Sequence, residues 1–159
     1  MIILGIDPGT QRIGCAVLEI KNSKQELKYA DILKIKQKNN IFVLKEVKNQ
    51  IDKIIKKWKP DILSIEKLYF SRNQKTAMAV SEVRGIILLA ALEKNIKIIE
   101  YAPNEIKSII TGYGFADKKA VAKMVNLILN LPKNKMIDDV TDAIALCLGA
   151  YKDFKYIDK

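Results

Sequence analysis

Five short apolar runs, unevenly spaced along the chain, constrain its fold more than any other feature of the sequence. The first three runs, residues 2–6, 13–20 and 27–35, are joined by links too short to hold a helix. They predict three strands in an antiparallel meander. Two later runs, residues 62–65 and 96–101, each follow a segment with helical spacing. A crossover helix brings the next strand in parallel to an earlier one, so a mixed sheet is expected.

Helical periodicity, helix caps and helix breakers predict five helices around these strands. They are 44–58 before Pro60, 77–92, a short helix from Pro103 to Gly112, a helix capped by Asp117 and ended by Pro132, and one starting near Asp138 or Asp139 and running through residue 148. Three strands, helix, strand, helix, strand and further helices is the element order of a ribonuclease-H-like α/β fold. That fold is a five-stranded mixed sheet flanked by helices, and we expect residues 1–159 to form one such domain.

The segment 77–92 is apolar on nearly all sides and contains five alanines or glycines. Such a helix is usually buried on more than one side. It could be a central core helix, or it could pack on its own sheet and on a second subunit. The sequence leaves both alternatives open.

Histidine is absent from the 159 residues, and the formal net charge is +10. The absence excludes histidine general bases, Ser-His-Asp and Cys-His nucleophiles and histidine-bound zinc. The charge fits a polyanionic partner or an anionic membrane surface. Cys15 and Cys147 lie in apolar runs, so we expect buried free thiols. With no spanning apolar run and no recognisable leader, a cytoplasmic protein without membrane contact is expected.

Four carboxylates occupy sequence positions that are typical of an active site. Asp7 ends the first strand and Glu66 ends the fourth, its predicted parallel neighbour, so both should lie in the crevice at the strand ends. Asp139 and Asp142 are three residues apart and project from one side of a helix start. Three of them have a structural alternative: a turn residue for Asp7, an N-cap for Asp139, a helix-dipole partner for Asp142. Glu66 is harder to explain structurally, because Gly, Asn or Pro would be expected after an apolar strand.

Converging carboxylates repel one another, and DNA phosphates would add negative charge, but divalent cations remove the conflict. Magnesium prefers hard oxygen ligands, and two ions can activate a water and stabilise the leaving oxygen in phosphodiester cleavage. Such chemistry needs no histidine.

Three blocks of the sequence resemble the catalytic blocks of the bacterial RuvC family of Holliday junction resolvases. They are residues 5–10 followed by Gly14, residues 64–66, and residues 139–143, and the similarity extends over nearly the whole chain. The resemblance implies an endodeoxyribonuclease that makes paired nicks in four-way junctions during recombination and repair.

The same resemblance implies a set of site residues and partners. Asp7, Glu66, Asp139 and Asp142 would hold two Mg²⁺ ions, for which Mn²⁺ could substitute, and the family spacing selects Asp139 over Asp138. Tyr69 would stack on a base, and Lys107 and Lys118 would face the DNA. Arg72, close to Tyr69, and Lys119 are expected as further DNA contacts. The alternatives are core packing for Tyr69 and ordinary solvated side chains for the lysines. A homodimer is implied, with the branch-migration proteins RuvA and RuvB as further partners, although no residue here identifies a contact with them.

Three alternatives stay open at this point. The YqgF group shares the RuvC-like fold but acts on RNA. The block from Asp7 to Gly14 also resembles the first phosphate loop of actin-like ATPases, which need two such domains. A DNA-binding module without activity is the third, and the complete carboxylate set argues against it.

Overall fold

The computed structural model describes residues 1–68, 74–131 and 138–157, except for the side chains of residues 40, 74, 75 and 155–157. The elements in chain order are β1 (Ile2–Asp7), β2 (Arg12–Lys21), β3 (Lys24–Lys34), α1 (Asn40–Trp58), β4 (Ile62–Glu66), α2 (Gln74–Leu92), β5 (Lys97–Tyr101), α3 (Pro103–Thr111), α4 (Lys118–Leu129) and α5 (Asp138–Ile157).

The five strands form one mixed sheet in the order β3-β2-β1-β4-β5. β1, β2 and β3 pair antiparallel, whereas β4 lies parallel to β1 and β5 lies parallel to β4. The predicted ribonuclease-H-like sheet is therefore confirmed. β3 begins earlier than expected because Asn22 and Ser23, with φ of 50° and 60°, form a two-residue hairpin turn that pairs Lys21 with Lys24.

Helices cover both faces of the sheet. α1 and α2 pack on one face, where Val47 and Ile51 meet Val83 and Ile87 in one apolar cluster. α3, α4 and α5 pack on the other face, where Ile106 and Val125 join Ile144 in a second cluster. Each face of the sheet is thus one wall of an apolar core, as expected for a sheet between two helix layers.

Several helix boundaries differ from those predicted. α1 begins at Asn40 because the side chain of Asn39 accepts the backbone N–H of Ile41 at 3.1 Å. The predicted Asp117 cap of α4 is confirmed, since its carboxylate accepts the N–H of Ala120 at 2.7 Å. α5 starts at Asp138 and continues beyond residue 148 to Ile157, so Asp139 lies inside its first turn rather than at an N-cap.

Cys15 and Cys147 are buried free thiols, as predicted.

α2 is buried on one side only. This excludes the alternative in which α2 is a central core helix of its own chain. In the part of the chain that the structure describes, no helix has the length and hydropathy needed to cross a bilayer.

Candidate active site

The paired ends of two parallel strands bring Asp7 and Glu66 together. Ile6 of β1 is in register with Ile65 of β4, and the two carboxylates follow these residues directly. Both side chains are half-buried at the carboxyl end of the strands. This is the edge at which the predicted crevice should lie.

Close packing of α5 on the sheet carries Asp139 and Asp142 to the same edge. A Cβ on Gly14 would lie 2.0 Å from the backbone oxygen of Asp139, and one on Gly5 would lie 2.1 Å from that of Ala143. Only glycine allows the helix to approach so closely. Further along α5, the buried hydroxyl of Ser64 donates to the carbonyl of Leu146 at 2.8 Å. These contacts fix the position of α5 over β1, β2 and β4.

The four carboxylates act on one another electrostatically. Burial raises the pKa of Asp7 to about 7, and the charges of Glu66, Asp142 and Asp139 add to that rise. Burial also raises the pKa of Glu66, with a further contribution from Asp142. Asp142 has a raised pKa too, chiefly through burial, although Lys118 opposes the shift. Burial is thus the largest cause of all three shifts, and repulsion between neighbouring carboxylates adds to it.

These oxygen donors fit hard divalent cations in chemistry, and a bound cation would offset the cost of burying several carboxylates together. Within residues 1–68, 74–131 and 138–157, however, no group of three or more acidic or cysteine side chains is arranged as a ready-made metal site. Two of the carboxylates are instead engaged by basic side chains. Arg12 lies 3.1 Å from Asp139, and Lys118 lies 3.4 Å from Asp142. Both carboxylates would have to turn from these partners to share an ion.

The predicted lysine contacts fall into two groups. Lys107 and Lys118 lie close enough to lower the pKa of Glu66, so both stand at the acidic edge. Burial works against the charge of Lys118, but Asp142, Asp138 and Asp7 outweigh it and raise its pKa. Lys119 is exposed at the start of α4, with no contact to the carboxylates recorded among the described side chains. The predicted contacts Tyr69 and Arg72 lie outside the described residues.

Two arginines that were not predicted as site residues support this edge. Arg84 of α2 donates from Nε to the backbone oxygen of Glu66 at 3.0 Å and pairs with Glu100 of β5. Its place as a cation within an apolar helix was a usable signal. Arg12 pairs with Asp139 across the sheet edge. Nothing in its local sequence distinguishes it from an ordinary exposed arginine.

Comparison with known proteins agrees with this architecture. The family model described as "Crossover junction endodeoxyribonuclease RuvC" matches residues 3–150. The chain is 45% identical over 150 residues to that enzyme from Brachyspira hyodysenteriae, covering 94% of this chain and 92% of the relative. It is 42% identical over 147 residues to the enzyme from Pseudothermotoga lettingae, covering 92% and 91%.

Among solved structures, RuvC of Thermus thermophilus in complex with a Holliday junction superposes with a TM-score of 0.90. It is 26% identical, and the match covers 98% of this chain and 96% of the other. The sequence similarity and the structural superposition both extend over almost the full length of the chain. The chain therefore belongs to the RuvC family of crossover junction endodeoxyribonucleases.

Proposed function

We propose that this protein resolves four-way DNA junctions in recombination and repair, by cutting two like strands with symmetric, metal-dependent nicks. The observation that carries the proposal is the meeting of Asp7, Glu66 and Asp142 at one sheet edge, where each has a raised pKa. Family membership supplies the reaction class, and the junction-bound relative supplies the substrate class.

Asp7, Glu66, Asp139 and Asp142 would hold the cations, which we take to be two Mg²⁺ ions, with Mn²⁺ as a substitute. When bound, the ions would activate the attacking water and stabilise the leaving oxygen of the phosphodiester. The chain's own contribution is placement. β1 and β4 present two of the carboxylates side by side, and the glycine-mediated approach of α5 presents the other two.

The basic side chains would hold the DNA backbone beside the carboxylates. Lys107 and Lys118 stand at the acidic edge, and Lys119 is exposed next to them. A net charge of +10 adds a general attraction for phosphates. The lysines would therefore position the scissile phosphate, with no base selectivity of their own.

The exposed face of α2 supports the proposed homodimer. Met78, Leu89 and Leu92 are 68%, 48% and 61% exposed and lie near one face of the helix. Gly85 lies on the same face, and a Cβ there would meet nothing within 4 Å. A small residue between large apolar ones permits close packing of two helices. A two-fold dimer would supply one site for each of two like strands.

Leu89→Glu is expected to convert such a dimer into monomers, because it places a charge in an apolar contact. Analytical ultracentrifugation should show the wild-type dimer and a monomeric variant at the same concentration. Leu127→Glu is the matched control, since Leu127 is an exposed leucine of α4 on the opposite face of the sheet. If the wild type and Leu89→Glu associate equally, α2 is not part of the dimer interface.

Arg12→Gln is expected to tighten metal binding about two- to tenfold, because it removes a cation 3.1 Å from Asp139 that opposes the incoming charge. Free Mn²⁺ can be followed by electron paramagnetic resonance without DNA. Lys21→Gln makes the same charge change at the far end of β2 and should bind Mn²⁺ like the wild type. Unchanged or weaker binding by Arg12→Gln would contradict this account of the ion pair.

The proposed activity is tested on a synthetic four-way junction with linear duplex and structured RNA as competing substrates. Mg²⁺-dependent paired nicks in the junction, with the duplex and RNA left intact, are the expected result. Preferential RNA cleavage would favour the YqgF-like alternative, and junction binding without nicks in either metal would favour a module without activity. Association with RuvA and RuvB stays a prediction from the family resemblance, and a cytoplasmic location stays a prediction from the sequence pattern.

A further inference from the structure

We propose that Tyr113 and Phe115 form a second base-stacking site, which receives an unstacked base of the junction DNA next to the carboxylates. The site would be separate from the predicted stacking residue Tyr69. This inference rests on the proposed function, because it takes junction DNA as the ligand.

The two rings stand out from the loop between α3 and α4. Tyr113 is 62% exposed and Phe115 is 82% exposed. Their ring centroids are 5.8 Å apart with planes tilted by 57°. A tilted pair leaves ring faces open to a third flat ring, and every base has a face that stacks on an aromatic side chain.

Hydrogen bonds hold the loop in one shape. Gly112 adopts a φ of 81° at the end of α3, and Thr111 Oγ1 accepts the N–H of Tyr113 at 3.1 Å. The N–H of Ala116 donates to the carbonyl of Tyr113 at 3.1 Å, closing a turn around Gly114 and Phe115. Rings presented by an ordered turn lose little further entropy when a base binds.

The surroundings favour DNA over another occupant. Lys118 follows Phe115 by three residues, so their Cα atoms lie within about 11 Å of each other. The ammonium group of Lys118 lies 3.4 Å from the carboxylate of Asp142, which brings the two rings close to the acidic edge. Lys119 adds a second exposed cation. Aromatic rings beside lysines are the combination that binds unpaired nucleotides. The α2 face, where a second copy of the chain is expected, lies across the sheet from this loop.

The test compares Phe115→Leu, which keeps apolar surface but loses the flat ring, with Phe115→Trp, which keeps the ring. Binding is measured in EDTA, so that no strand is cut, to a four-way junction carrying 2-aminopurine near the crossover and to linear duplex. Phe42→Leu is the matched control, since Phe42 is an exposed phenylalanine of α1 on the other side of the sheet.

We expect Phe115→Leu to lose roughly fivefold or more in junction affinity, together with 2-aminopurine quenching. Phe115→Trp and Phe42→Leu should keep both, and duplex affinity should be equal in all four proteins. Wild-type junction affinity and quenching in Phe115→Leu would overturn the stacking site while leaving the proposed function intact, and would indicate a protein-docking role for the rings. Wild-type protein without preference for the junction would overturn the proposed function and the stacking site together.

Discussion

Asp7→Asn is expected to bind four-way junctions like the wild type and to nick them at least about a thousandfold more slowly, which is a loss of about 4 kcal/mol in transition-state stabilisation. The amide keeps the shape of the carboxyl but removes the charge at the centre of the acidic edge. Lysines 107, 118 and 119 are untouched, so phosphate binding should persist. Single-turnover nicking and equilibrium binding measure the two effects separately.

The matched control is Asp138→Asn, which removes a neighbouring carboxylate whose side chain is 71% exposed and lies 3.9 Å from Lys118. It should cut at close to the wild-type rate. A similar loss in both variants would point to general charge at the start of α5 rather than to ligation by Asp7. Wild-type cutting by Asp7→Asn would show that Asp7 holds no cation needed for the reaction.

Asp7→Asn should also stabilise the metal-free protein at alkaline pH. The pKa of Asp7 is raised from 3.8 to about 7, which means that the folded chain favours the protonated carboxyl group. The stability that this protonated group contributes is fully present below pH 3.8 and is lost as the pH rises through 7. At pH 8 the wild type carries a charge there that the fold disfavours. The amide of the Asp7→Asn variant carries none, so in EDTA the variant's free energy of unfolding should exceed that of the wild type by on the order of 2 kcal/mol. The gain should vanish near pH 4.

Gly14→Ala is expected to destabilise the protein by about 3 kcal/mol and to reduce nicking even where the chain stays folded. Its new Cβ would lie 2.0 Å from the backbone oxygen of Asp139, so the first turn of α5 must move away from β2. That movement carries Asp139 and Asp142 away from Asp7. Thermal unfolding should show a midpoint lower by roughly 6–12 °C, and the nicking rate is measured well below that midpoint.

Lys53→Ala serves as the control for the unfolding measurement, because it replaces an exposed side chain of α1, away from the contact between α5 and the sheet. It should be neutral or slightly stabilising, since alanine favours the helix. An unchanged midpoint and rate in Gly14→Ala would mean that α5 does not need its close approach to the sheet.

The fold was predictable from the sequence because its strands are short apolar runs with distinct links. Gaps of hairpin length separate the first three strands, and helical periodicity precedes the last two. These patterns predict three antiparallel strands followed by two parallel ones, and therefore a mixed sheet. Ends of elements were less predictable. Residues 24–26 lack a simple apolar pattern, and they belong to β3 because they pair with β2 across the Asn22–Ser23 turn. Residues 149–157 also lack such a pattern, and they continue α5.

The candidate site was predictable in part. Asp7 and Glu66 follow from the ends of parallel strands, and Asp139 and Asp142 follow from helix spacing. Arg12 and Arg84 were not predicted to act there, because their contacts join residues far apart in sequence, Arg12 with Asp139 and Arg84 with Glu66. The place of Arg84 within an apolar helix was a signal that this residue has a role, but no local pattern identifies the partner of either arginine.

The position of bound cations is the most direct test of the central claim. Crystals of the protein soaked in Mn²⁺ are measured at the manganese absorption edge, and the anomalous difference map locates the metal independently of any assumed site. We expect peaks between Asp7, Glu66, Asp139 and Asp142, with Arg12 and Lys118 turned away from their carboxylate partners. Peaks confined to other parts of the surface, with both ion pairs intact, would contradict the proposed metal site.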